Sequence, residues 1–141
     1  MKIKHSIECW LWQAEQQRFL LLQCPATARH AACWQPVTGG VLAGETAVQA
    51  CLREVFEETG LTLPPSALRL VLPEFRVAVP EYDAQVRKPV FTVETSMTQI
   101  TISAEHRAYQ WVMPDQVAGL LCWDSYRATF AAIRVLYPAQ D

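Results

Sequence analysis

Hydrophobic and polar positions alternate from Ile3 to Trp12, which predicts a strand, and Gln13 to Gln17 is a polar turn. Phe19-Leu20-Leu21-Leu22 is a continuous apolar run, as expected of a strand covered on both faces. Small residues between Cys24 and Cys33 predict a loop, and Trp34-Gln35-Pro36-Val37-Thr38 leads into Gly39-Gly40. Consecutive glycines let amides and carbonyls approach a ligand closely. Ala47, Val48, Cys51, Leu52 and Val55 then recur at helical spacing, with Thr46 placed to cap the helix and Gly60 to stop it. After Pro64-Pro65, strands are predicted over Leu68–Leu72, Phe75–Val79 and Val90–Met97. The last two are separated by Pro80-Glu81-Tyr82-Asp83 and a polar linker through Lys88-Pro89, and Ile100 to Ser103 extends the sheet. Tyr109, Trp111 and Met113 alternate as a further strand, Pro114 to Leu121 reads as a short helix, and Asp124-Ser125 cap a last helix through Leu136 that buries Tyr126, Phe130, Ile133 and Leu136. Strand-period and helix-period segments in this order predict an α/β chain.

The length of 141 residues fits one domain over 1–141 with a core of its own, and 51% of the residues are apolar. A net charge of −2 gives no basic footprint for a nucleic-acid polymer. A nucleotide-sized substrate is compatible with that charge, because a bound metal inverts the local field. Five cysteines, Cys9, Cys24, Cys33, Cys51 and Cys122, are odd in number and widely spaced. That pattern argues against a disulfide framework or a zinc site and for a reducing compartment, with the thiols acting as small core hydrophobes. MKIKHSIECWLW lacks the features of a signal peptide and no stretch suits a bilayer span, so the cytoplasm is the expected location.

The unusual feature is the charge on the central helix. Glu54, Glu57 and Glu58 lie three and four residues apart, which predicts all three on one face. Like charges at that spacing weaken a helix by roughly 0.2–0.5 kcal/mol per pair. Glu57 and Glu58 also fall in the last turn, where the helix end is partially negative. This placement calls for positive charge. Arg53 is one source and a hard divalent cation, which takes oxygen ligands, is the other.

From Gly39 to Leu61 the chain resembles the Nudix box, G-x5-E-x7-R-E-U-x-E-E-x-G-U with U a bulky aliphatic. Gly39, Glu45, Arg53, Glu54, Val55, Glu57, Glu58, Gly60 and Leu61 fill every fixed position. The resemblance implies an α/β/α sandwich around a mixed sheet, and hydrolysis of a pyrophosphate bond in a nucleoside triphosphate or related nucleoside diphosphate derivative. Magnesium, with manganese as an alternative, is the implied cofactor. The implied metal ligands are Glu54, Glu57 and Glu58, with a backbone carbonyl of Thr38, Gly39 or Gly40. Glu54 is the first candidate for the base that takes a proton from water, Arg53 orients the acids, and Glu45 holds the Gly39–Gly44 loop. Gly60 belongs to the motif as the helix stop.

Outside the box, Glu105-His106-Arg107-Ala108-Tyr109-Gln110-Trp111 and the Trp34-to-Gly39 approach resemble segments of the dihydroneopterin triphosphate and dATP pyrophosphohydrolases of this family. Glu105 is thereby a further candidate acid, both catalytic and metal-ligating. Those relatives carry a basic residue near the end of the second strand, where this chain has Leu22-Gln23-Cys24-Pro25; Arg29 or Lys4 are candidates to replace it. Thr38, Gly40, Arg29 and Trp34 are the expected substrate contacts, and Trp34, Phe75, Tyr82, Trp123 and Tyr126 the aromatics able to stack on a base. Relatives are often homodimers. The competing readings are a nucleotide-binding sensor that does not hydrolyse, a hydrolase of sugar nucleotides or dinucleotide polyphosphates, and a domain whose acidic helix is merely solvated.

Overall fold

The computed structural model describes residues 1–28, 31–121 and 123–139. β1 (Lys2–Gln13) forms the middle of a mixed sheet whose order is β3-β2-β1-β6-β5, built with β2 (Arg18–Cys24), β3 (Cys33–Gln35), β5 (Arg69–Val79) and β6 (Ala84–Thr95). β4 (Val37–Gly40) pairs with β1, and β7 (Ala108–Val112) with β2. β1 and β6 run parallel; the other pairs are antiparallel. One edge of β1 is shared. Ser6–Cys9 pairs with β4, while Trp12 and Gln13 pair with β2. Gly39 is thereby held opposite Ile7, in the middle of the sheet.

The period of two sorts the apolar residues onto two faces. Ile7, Cys9, Leu11, Leu20, Leu22, Phe91 and Val93 pack under α1 (Ala47–Thr59) with Ala50, Cys51 and Val55. Trp10, Trp12, Phe19, Leu21 and Val90 pack on the other face against α2 (Pro114–Leu120) and α3 (Asp124–Arg134) through Val117, Phe130 and Ile133. Both faces are covered, which explains the unbroken apolar run of β2 and gives the expected sandwich. No helix among the described residues is long and apolar enough to cross a membrane.

Several expected boundaries are corrected. Leu68–Leu72 and Phe75–Val79 belong to one strand, β5, whose register shifts between Leu70 and Leu72 and between Leu72 and Phe75. Pro73 sits inside it because β5 is the edge strand, where a missing N–H is tolerated. β6 starts at Ala84, so the supposed linker through Lys88-Pro89 is sheet, and Lys88 is 5% exposed. Ile100–Ser103 forms no strand; Thr101 N donates instead to Thr59 O at the end of α1. α3 ends at Arg134, and its N-cap is Trp123, without a side-chain cap. Cys33 is disulfide-bonded, contrary to the expectation of thiols only, while Cys9, Cys24 and Cys51 are free. Wide spacing in sequence gives no sign of a pairing created by the fold. Cys122 lies outside the described residues.

Candidate active site

α1 turns acids towards the protein. Thr46 and Gln49 form a reciprocal capping box at its start, and Gly60 ends it in the left-handed conformation, φ 79°, with its N–H on Phe56 O. The buried stripe of the helix is Ala50, Cys51, Glu54, Val55, Glu58 and Thr59. At 3.6 residues per turn, Glu57 points about 60° to one side of Glu54 and Glu58 about 40° to the other. The single acidic face expected from the spacing is therefore split. Glu58 is 1% exposed, whereas the Glu57 side chain is 52% exposed. Among the described residues, no three His, Cys, Asp or Glu side chains converge as a ready cage.

Arg53 organises the outer part of the site. Its Nε and Nη2 donate to both oxygens of Glu45 at 2.8 and 3.0 Å, and Nη2 also donates to Gly40 O at 2.8 Å. Nη1 donates to Glu54 at 2.7 Å and Glu57 at 3.2 Å. Glu45 accepts from Leu42 N as well. One guanidinium thus ties the loop after β4 to two helix acids, a geometry that the rigid donor fork favours. The Arg53 pairing holds the Glu45 carboxyl below the ordinary carboxylate range, and the carboxylates in turn raise Arg53. The carbonyl of Gly40 is engaged by Arg53.

Gly39 is required by contact rather than by backbone conformation. A Cβ there would lie 2.2 Å from Cδ of Glu54. The glycine leaves room for that carboxylate to lie flat against β4.

Glu58 is the least satisfied group of the site. Both of its carboxylate oxygens are buried without a hydrogen-bond partner among the described residues. Burial, then the Glu54 carboxyl beside it, then the charge of Glu105 push its pKa up to about 10. His106 Nε2 lies 3.4 Å from Glu58 Oε1, too far for a well-formed hydrogen bond, and burial lowers the His106 pKa. Glu105 is exposed on the neighbouring loop, its N–H on Ser103 Oγ, and its charge is felt by Glu58, Cys24 and His106. Buried polar atoms without partners are rare and call for an explanation. A hard divalent cation answers it chemically, since it takes oxygen donors and keeps the carboxylate ionised. Glu54 and Glu58 fit such an ion.

Across the sheet from α1 lies a cavity of about 580 Å³. Thr38, one residue before Gly39, is part of its lining, with Lys88, Glu81, Tyr82, Trp123 and Tyr126. Thr38 Oγ1 donates to Ile7 O. Tyr82, Trp123 and Tyr126 are thus at the cavity, while Trp34 and Phe75 pack against the hydrophobic cluster under α2 and α3 and do not line it. Arg29 lies outside the described residues. Sequence reasoning missed Glu8 and Lys88, both buried and ion-paired at 2.6 Å. The available signal was their position: Lys88 shares a strand face with Val86 and Val90, and Glu8 with Ser6 and Trp10.

The NUDIX domain family matches residues 4–132. The asymmetrical bis(5'-nucleosyl)-tetraphosphatase of Rattus norvegicus is 32% identical over 115 residues, covering 79% of this chain and 74% of the relative. The structure of the dihydroneopterin triphosphate pyrophosphohydrolase of E. coli is 28% identical with a TM-score of 0.72, covering 92% of this chain and 95% of that one. A MutT protein from Methanosarcina mazei Go1, 23% identical, shares the fold with a TM-score of 0.77 and 97% of each chain covered. With the family spanning nearly the whole sheet and the acidic helix, the chain belongs to the Nudix family and is a pyrophosphohydrolase acting on phosphoric anhydrides.

Proposed function

We propose that the chain is a single-domain, magnesium-dependent hydrolase of a nucleoside triphosphate or related nucleotide, with Glu54 and Glu58 as the principal metal ligands. The observation that carries this reading is the pair of partnerless oxygens of Glu58, buried beside Glu54 and the Cβ-free backbone of Gly39. A divalent ion held there supplies charge neutralisation for the phosphates and lowers the pKa of a bound water. Cleavage of a phosphoric anhydride is chiefly a matter of positioning and electrostatics. Arg53 donates to one oxygen of Glu54 at 2.7 Å and so orients its carboxylate. Glu54 accepts the proton of the attacking water, as the general base, through the oxygen that Arg53 does not hold. Glu57, exposed and held by Arg53 at 3.2 Å, contributes at the outer edge of the metal site, and Glu105 adds negative charge from the facing loop.

The phosphates lie over the junction of Gly39, Glu54 and Glu58, and the cavity behind Thr38 takes the base. A dinucleoside polyphosphate is the second substrate class, favoured by the 32% identity to a bis(5'-nucleosyl)-tetraphosphatase. A panel of nucleoside triphosphates, dinucleoside polyphosphates and sugar nucleotides, assayed for released phosphate and pyrophosphate, tests the proposal. Turnover with magnesium that stops on chelation is expected. Tight binding without any released phosphate would instead indicate a sensor.

A further inference from the structure

One partner of a buried ion pair, Lys88, lines the cavity and is not used by hydrolysis. Lys88 Nζ lies 2.6 Å from Glu8 Oε1 and 4.8 Å from the centroid of the Tyr126 ring. The second oxygen of Glu8 accepts from Trp10 Nε1 at 2.7 Å. Glu8 is 0% exposed, so a ligand cannot reach it, whereas Lys88 lines the cavity. A buried ion pair is seldom more stabilising than an apolar pair of the same volume. Its presence on a cavity floor therefore points to recognition.

The charge of the pair decides what is recognised. Glu8 neutralises Lys88, and Glu81 adds a negative charge to the lining. A phosphate is disfavoured there. The ammonium nevertheless keeps its hydrogen-bond capacity: it has three N–H donors and no acceptor, and its contact with Glu8 Oε1 is an ion pair at 2.6 Å. Tyr126, Tyr82 and Trp123 supply aromatic surface to the same cavity. A neutral planar heterocycle with acceptors on the edge facing Lys88 suits this floor. A 6-oxopurine presents its carbonyl oxygen and N7 side by side as two acceptors, whereas a 6-aminopurine sets a donor amine beside N7.

We propose that Lys88, held by Glu8, is a specificity-determining residue that selects a base with a ring carbonyl next to a ring-nitrogen acceptor over a 6-aminopurine. This rests on the reading that the cavity receives the base of a nucleotide whose phosphates sit at Glu54 and Glu58.

The test compares ITP with ATP, which differ in the 6-substituent and in the hydrogen that the 6-oxo form carries on N1. The wild-type protein favours ITP by about tenfold in kcat/KM, mainly through KM, the discrimination typical of one bidentate base contact. Lys88→Met leaves Glu8 buried and uncompensated, so Glu8→Gln/Lys88→Met is measured in parallel, with folding checked by circular dichroism. In the folded double variant the ITP-to-ATP ratio falls towards one, a change that a purely structural role would not produce. Preference of the wild type for ATP, or an unchanged ratio in the folded double variant, overturns the proposal. Calorimetric binding of IMP and AMP separates this from the hydrolase reading. A preference for IMP without turnover supports the role of Lys88 and defeats hydrolysis, and equal affinities defeat the role of Lys88 whatever the turnover.

Discussion

Glu8 and Glu58 are buried on opposite sides of one sheet, at 0% and 1% exposure, and their surroundings differ completely. Glu8 has an ammonium at 2.6 Å and an indole N–H at 2.7 Å. Glu58 has another carboxyl for a neighbour, a third acid on the facing loop, and, among the described residues, no hydrogen-bond partner for either oxygen. The charge of the first carboxylate is balanced by the chain itself, at Lys88. The second is completed by something the chain must bind. Burial alone does not mark a functional acid; burial without a partner does.

Substitution of the two acids breaks the comparison most directly. Glu58→Gln is expected to reduce kcat on the order of a thousandfold with magnesium present while the chain stays folded, as steady-state kinetics and circular dichroism would show. Glu8→Gln is expected to act the other way, on stability first. It leaves Lys88 buried beside a neutral amide, at a cost of about 3 kcal/mol in chemical denaturation. If Glu8→Gln abolishes turnover at full stability, or Glu58→Gln unfolds the chain, the contrast is false. Gly39→Ala comes next. Its Cβ would displace the Glu54 carboxylate, and a fall in kcat of about tenfold to a hundredfold is expected with little change in melting temperature.

The smallest effect concerns pH. The Glu58 carboxyl titrates at about 10 in the metal-free fold, above its ordinary value of 4.5, so between those limits the folded chain holds a proton that the unfolded chain has released. Stability of the metal-free protein therefore falls as pH rises through that window, by about 1.4 kcal/mol per pH unit at most for one proton. Denaturation in chelator at pH 6, 7 and 8 measures the slope, and Glu58→Gln should flatten it. A slope that persists in the variant would assign the proton elsewhere.

Much of the acidic helix was legible because its constraints are local. Thr46 caps it, Gly60 stops it, and the spacing of Glu45, Arg53, Glu54, Glu57 and Glu58 is readable without knowing what lies opposite. The inward turn of Glu54 and Glu58 was less legible, since helical period says which residues share a face and not which face is buried. Lys88 was hidden for a related reason. Arg87-Lys88-Pro89 reads as a polar break, yet the sequence gives no view of Glu8, whose distance along the chain conceals a contact made only when β1 and β6 pair. The continuity of β5 through Pro73 was hidden in the same way, because the effect of a proline depends on whether its strand lies at the edge of the sheet. The disulfide at Cys33 left no mark at all in the spacing of the cysteines.

The segment after β6 is pinned at two points. Thr101 N donates to Thr59 O at the end of the acidic helix, and Arg107 N donates to Gln23 O on β2. Five residues, Ile102 to His106, bridge those pins, so Glu105 has little slack. Inserting a few glycines between Ala104 and Glu105 would unmoor that acid while leaving the helix untouched, which gives an engineer a way to adjust its reach independently of its charge.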